Sequence, residues 1–208
     1  MNSWIKNNFF LLALLILISL IRITSGEWEI PFSEVIKFLF QGDSSAQSII
    51  IRSVRLPRIL SSILTGGLLS VAGVVLQALL ANPLAEPYTL GIASGAAFGA
   101  AIAVMFNFII APFSFAGALL ALLMTGLISR GGTEKLILAG VISNSILSAG
   151  VTFIKSIAGD KLGAVVLWLM GSLSGAGSRD VFAVLTGTVL ILIPALIFAP
   201  ALDAMSLG

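Results

Sequence analysis

The chain has no cysteine and no histidine, a single tyrosine, and only 11 Lys or Arg and 9 Asp or Glu among 208 residues. Without thiols or imidazoles there are no disulfides, no thiolate chemistry and few of the ligand sets that hold transition metals. Charged residues make up 10% of the chain, against about 25% in soluble domains, and 58% is hydrophobic, which marks an integral membrane protein. There is no G-x-x-x-x-G-K-[ST] loop for nucleotide phosphates. There is also no cluster of Ser, His, Asp or Cys suited to acid–base or nucleophilic work, which argues against a membrane enzyme. The net charge of +2 identifies no partner, because the few charges are confined to loops. No cofactor, metal or nucleic acid is expected.

Long apolar runs fill the rest. A helix needs roughly 20 apolar residues to cross the hydrocarbon core. Segments 59–80, 89–111, 112–128, 136–154 and 181–199 meet or approach this and hold no Asp, Glu, Lys or Arg. The first run, 5–23, ends near Arg22 and reads as a tilted span, with a signal peptide as the alternative; "TSGE" is a poor cleavage site. Residues 162–173, "LGAVVLWLMGSL", are too short to cross and read as a re-entrant or interfacial helix, with Trp168 at headgroup level. No short alternating segments suggest a barrel. The expected fold is all-α, a polytopic transmembrane helix bundle forming one domain over 1–208.

Small residues line several runs. Gly91, Gly95 and Gly99 recur every fourth residue, continued by Ala103; Gly66, Ser70 and Gly73 lie four and three apart in 59–80, and Gly140, Asn144 and Ser148 four apart in 136–154. Such stripes let helices approach backbone to backbone. Asn144 and Gln77 are the amides within spans away from their ends, and each is expected to bond a neighbouring helix.

Lys6 suggests a cytoplasmic N-terminus. Counting spans from there leaves Lys6, Arg130 and Lys135 inside. Lys37, Arg52, Arg55, Arg58, Lys155, Lys161 and Arg179 fall outside, with Arg22 at the border, against the positive-inside rule. In "RLPR", 55–58, Pro57 suits the first turn of a helix. Arg55 and Arg58 would then sit at its positive end, a placement disfavoured by about 0.3–1 kcal/mol. Two readings remain: the arginines snorkel to lipid phosphates, or they dock an acidic protein. Between the spans, "NPLAEPYTLGIASG", 82–95, carries two prolines that stiffen the turn. Asn82 can cap, and Glu86 suits the start of the next helix.

"RLPR", then "GGLLSVAGVVLQALLANPLAEPYTLGIASGAAFGA", "LILAGVISN" at 136–144, "WLMGSLSG" at 168–175 and "LDAMSLG" at 202–208 resemble the permease family of binding-protein-dependent ABC importers for iron–siderophore, haem and cobalamin. The resemblance covers the chain from about residue 50; the first span and outer loop fit by position. It implies the type II importer fold, here in part. It also implies a homodimer, or a pairing with a related permease subunit, of ten-helix subunits in the bacterial inner membrane. Cytoplasmic ATPase subunits drive transport and an extracytoplasmic substrate-binding protein delivers the chelate. Arg55 and Arg58 match the arginines that pair with acidic residues of that binding protein. Asn82, Pro83, Leu84, Glu86 and Pro87 would lie at the cytoplasmic gate. Ser206, Leu207 and Gly208 would begin the loop that couples to the ATPase. Family members are longer, so the chain is expected to be a fragment, a frameshifted product or one piece of a split permease, and not to transport alone. Iron–siderophore is the expected cargo, with cobalamin or haem as the alternative. A self-sufficient secondary transporter or channel is the other class, and an intramembrane Asp, Glu or Lys would favour it.

Overall fold

The computed structural model describes residues 3–40, 44–129 and 131–206. Backbone groups in hydrocarbon must be satisfied within the segment, so the apolar runs become helices. In order these are α1 (Ser3–Thr24), α2 (Phe32–Phe40), α3 (Ala46–Ile49), a π-helical turn (Ile50–Arg55), α4 (Leu56–Leu79), α5 (Ile92–Phe106), α6 (Ile110–Ser129), α7 (Thr133–Ile157), a 3₁₀ turn (Gly159–Lys161), α8 (Leu162–Met170), α9 (Ser178–Ile197) and α10 (Ala199–Ser206). Among the described residues, five helical stretches are long and apolar enough to cross a membrane: Lys6–Thr24, Ala46–Leu79, Ile110–Ser129, Thr133–Ile157 and Ser178–Ile197.

Two boundaries differ from the sequence reading, each for a local reason. The run expected over 89–111 is helical only over Ile92–Phe106, 15 residues. Gly91 (φ 74°) precedes it in a left-handed conformation and Asn107 (φ 56°) ends it in another. Asn is among the few non-glycine residues that tolerate that region. Phe108 N–H then returns to Ala103 O at 2.8 Å, closing the end. Glu86 therefore lies outside the first turn of α5 and does not serve its dipole.

The second correction concerns Pro57. α3, the π turn and α4 form one helical run over Ala46–Leu79, capped by the Ser45 hydroxyl, which accepts the Ser48 N–H. Pro57 is buried inside this run rather than starting it. A proline lacks its N–H and crowds the carbonyl four residues back; a π turn immediately before it relieves that register. Arg55 and Arg58 thus do not sit at a helix N-terminus, and the dipole cost inferred from the sequence is not incurred.

Contacts divide the chain into two compact units: residues 1–68 with 173–192, and residues 69–172 with 193–208. In the first, Ile23, Ile30, Val35 and Ile51 form a small buried core with Phe38, Leu39, Leu56 and Ile59 against it. In the second, α5, α6 and α7 pack on one another. There Leu80, Ala85 and Leu90 are buried with Leu136 and Ile137.

Candidate functional sites

In the first unit the chemistry lies in three arginines spaced three apart, Arg52, Arg55 and Arg58, on the π turn and the start of α4. The last carbonyls of a helix lack intrahelical partners and carry the negative end of its dipole, so they attract guanidinium groups. Arg52 donates to the carbonyls of Phe38 and, at 2.9 Å, Leu39, in the last turn of α2. Arg55 donates to the carbonyls of Ile23 at 2.9 Å and Thr24 at 3.0 Å, the end of α1, and to Trp28 O. Gly26 makes room for it: a Cβ there would stand 2.7 Å from Arg55 Nη2. Arg58 donates to Ser174 O at 2.6 Å, while its Nε is buried without a partner. Arg52 and Arg55 are therefore staples for the ends of helices distant in sequence, and Arg58 ties α4 to the turn at Ser174. A cavity of about 300 Å³ beside them is lined by Arg22, Glu27, Trp28, Arg55 and Arg58 among others.

In the second unit the proline turn is rigid. Leu84 N–H donates to Asn82 Oδ1 at 2.9 Å, Glu86 N–H to Thr89 Oγ1 at 3.0 Å, and Ile92 N–H to Pro87 O at 3.1 Å. Ala85 and Leu90 are its buried anchors, whereas Leu84 (84% exposed), Glu86 and Tyr88 project from it. Its far end is locked to the helices. Thr125 Oγ1, fully buried, donates to Leu90 O at 3.0 Å and lies 3.0 Å from the Ser143 hydroxyl. A side chain at Gly140 would strike Thr89 O. Pro83 also borders a cavity of about 350 Å³ with Gln77 and Asp203.

The glycine stripes separate. A Cβ at Gly95 would collide with Gly117 O, one at Gly117 with Gly95 O, and one at Gly99 with Phe113 O, so α5 and α6 touch through their backbones. Gly91 faces Ser143 and Asn144 of α7 instead. Gly66 and Gly73 have open space where a side chain would project, and Ser70 between them is exposed. Asn144 accepts from Ser148 of its own helix at 3.5 Å. Of the residues expected to begin the coupling loop, Ser206 ends α10, while Leu207 and Gly208 lie outside the described residues. Sequence reading missed the role of Lys161, whose Nζ donates to Met105 O at 2.6 Å and Asn107 Oδ1 at 3.1 Å, capping α5. It also missed Arg52 as a cap and Thr125 as the lock. Among the described residues, no group of three or more His, Cys, Asp or Glu is placed to hold a metal ion.

The sequence profile of the FecCD transport family matches residues 11–208. The Fe(3+)-citrate import system permease protein of Bacillus subtilis is 36% identical, over 95% of this chain and 62% of its own length. The ferric enterobactin transport system permease protein of Escherichia coli is 33% identical over the same shares, 95% and 62%. The molybdate import system permease protein of Haemophilus influenzae is 32% identical, over 82% of this chain and 55% of its own. A solved structure described as an inward-facing conformation of a metal-chelate type ABC transporter matches with a TM-score of 0.84 at 29% identity, over 98% of this chain and 65% of that one. The chain spans more than half but less than two thirds of each of these.

Proposed function

The chain belongs to the FecCD transport family, and on that premise we propose that it is part of the membrane-spanning permease of an ATP-driven importer for a metal chelate. The observation that carries this is the agreement of sequence and fold with one kind of protein along almost the whole chain, 98% of it in the structural match. The spans support the same reading. Beyond the first, the helical stretches able to cross keep Asp, Glu, Lys and Arg to their outer turns, apart from Arg52, Arg55 and Arg58 in the first half of Ala46–Leu79, and none carries an Asp or Glu away from its ends, whereas ion-coupled carriers use intramembrane carboxylates or similar groups. The permease is not itself an enzyme; a separate cytoplasmic ATPase supplies the energy, and two permease subunits enclose the path.

The cargo is a ferric chelate, the chemistry shared by two of the relatives above; the molybdate relative marks how far cargo varies within the family. The N-terminus faces the cytoplasm in the bacterial inner membrane. Asn82, Pro83, Leu84, Glu86 and Pro87 form the cytoplasmic gate, its exposed Leu84 and Tyr88 carried on a turn that cannot flex alone. Ser206, Leu207 and Gly208 lead into the ATPase contact. The arginine-bearing end faces outward and receives an acidic substrate-binding protein. Arg55 acts there through the end of α1 that it holds, and Arg58 makes the direct charge contact.

Purification of the chain from native membranes tests the assembly. It is expected to bring down a second permease subunit and an ATPase, and to bind an extracytoplasmic binding protein with an affinity that falls as salt rises. Recovery as a free-standing protein, with no binding-protein affinity, would contradict it. Arg58→Glu should weaken binding-protein association most at low salt; an unchanged affinity would refute the docking assignment alone.

A further inference from the structure

Two adjoining cavities of the first unit share Arg22, Arg58 and Ile59. The second, about 320 Å³, runs between α1 and α4 along Leu15, Ile18 and Ile63. Leu15 and Ile18 lie one to two turns before Arg22 on α1, and Ile63 just over one turn past Arg58 on α4. The cavity is therefore an apolar slot headed by two guanidinium groups. Its hydroxyls are already used: Ser19 donates to Leu15 O and Ser62 to Arg58 O, each at 2.7 Å. The unmet polar demand is cationic, since Arg22 is exposed and Arg58 Nε is buried without a partner. Along this length α1 has little protein against it, with only 6% of its apolar window buried.

An apolar slot with cations at one end has an amphiphilic anion as its complement. A soluble phosphate would leave Leu15, Ile18 and Ile63 uncovered, and a lipid without net charge would leave the guanidinium groups unneutralised. We infer that the α1–α4 slot binds an anionic phospholipid, its phosphate between Arg22 and Arg58 and an acyl chain along Leu15, Ile18 and Ile63. This lipid holds α1 beside α4 where side-chain contact is sparse. The inference stands apart from the docking assignment: Arg58 serves both, and Arg22 serves only the lipid.

Native mass spectrometry of the purified full chain, in detergent with equimolar phosphatidylglycerol and phosphatidylcholine, tests this. Phosphatidylglycerol should be retained in preference. Arg22→Gln should cut that preference about fivefold, as expected for one basic residue at an anionic headgroup, and adding Arg58→Gln should bring it to parity. Ser19→Trp, which fills the slot, should remove both lipids. Circular dichroism checks that each variant is folded, and Arg22→Gln alone decides the matter if Arg58→Gln is not. Equal retention of the two lipids by the unaltered chain would overturn the inference. So would a preference unchanged in Arg22→Gln, or displacement of the lipid by glycerol phosphate.

Discussion

The two units hold their helices by opposite means. In α5, α6 and α7 the contact is backbone on backbone: Gly95 against Gly117, Gly99 against Phe113, Gly140 against Thr89. Around α1 and α2 the contact is made by long cations reaching the free carbonyls of helix ends, Arg52 to Phe38 and Leu39, and Arg55 to Ile23, Thr24 and Trp28. The first mode leaves no room for change along a whole face. The second fixes one point and leaves the length of the helix open. A rigid platform beneath the 82–87 turn and a helix held only at its end are different mechanical elements, although composition makes both simply apolar.

The comparison can be broken first at the glycines. Gly95→Val or Gly140→Val must move backbone and should cost about 3 kcal/mol, the upper range for overpacked sites. Thermal unfolding in detergent, followed by tryptophan fluorescence, reads this directly; a Tm within error of the unaltered chain would show that the close approach is absent. Next comes Arg55→Ala, which strips charged donors from the end of α1 and should cost about 2 kcal/mol. Amide exchange should quicken in residues 23–28 and leave 92–106 unchanged. Arg55→Lys should rescue little, because an ammonium group does not reproduce the planar fork. Thr125→Val leaves Leu90 O and the Ser143 hydroxyl unsatisfied, for about 1.5 kcal/mol, and Thr125→Ser should restore stability. Smallest is Gly73→Ala or Gly67→Ala. No neighbour lies within 4 Å of the added methyl, so the gain in helix propensity should raise stability by about 0.5 kcal/mol. The same residue type thus gives opposite signs on α4 and α5.

Much of this architecture is legible in the sequence because lipid leaves so few options. The long apolar runs, the short 162–173 segment and the stiff 82–87 turn all follow from length, hydropathy and proline placement. What escapes is what depends on partners far along the chain. The Gly66–Ser70–Gly73 and Gly91–Gly95–Gly99 stripes each set small residues along one helix face, and spacing alone does not tell which one another helix covers. "RLPR" looks like a helix start because Pro57 is read locally; the helix already under way from Ala46 reverses the meaning of its dipole. The α1 carbonyls that Arg55 satisfies lie 32 and 31 positions earlier, beyond any local rule. The left-handed Gly91 and Asn107, which shorten α5, were hidden by the hydrophobicity of their neighbours.

The central claim, that this chain is part of an ATP-driven importer's permease, is tested most directly by uptake into proteoliposomes that hold it. One preparation contains its partner permease, ATPase and binding-protein subunits, and a second contains the chain alone. The account predicts accumulation of a ferric chelate only in the first, only with ATP inside the compartment that carries the ATPase, and only when binding protein is supplied on the opposite side. Accumulation by the chain alone on a proton or sodium gradient would contradict it.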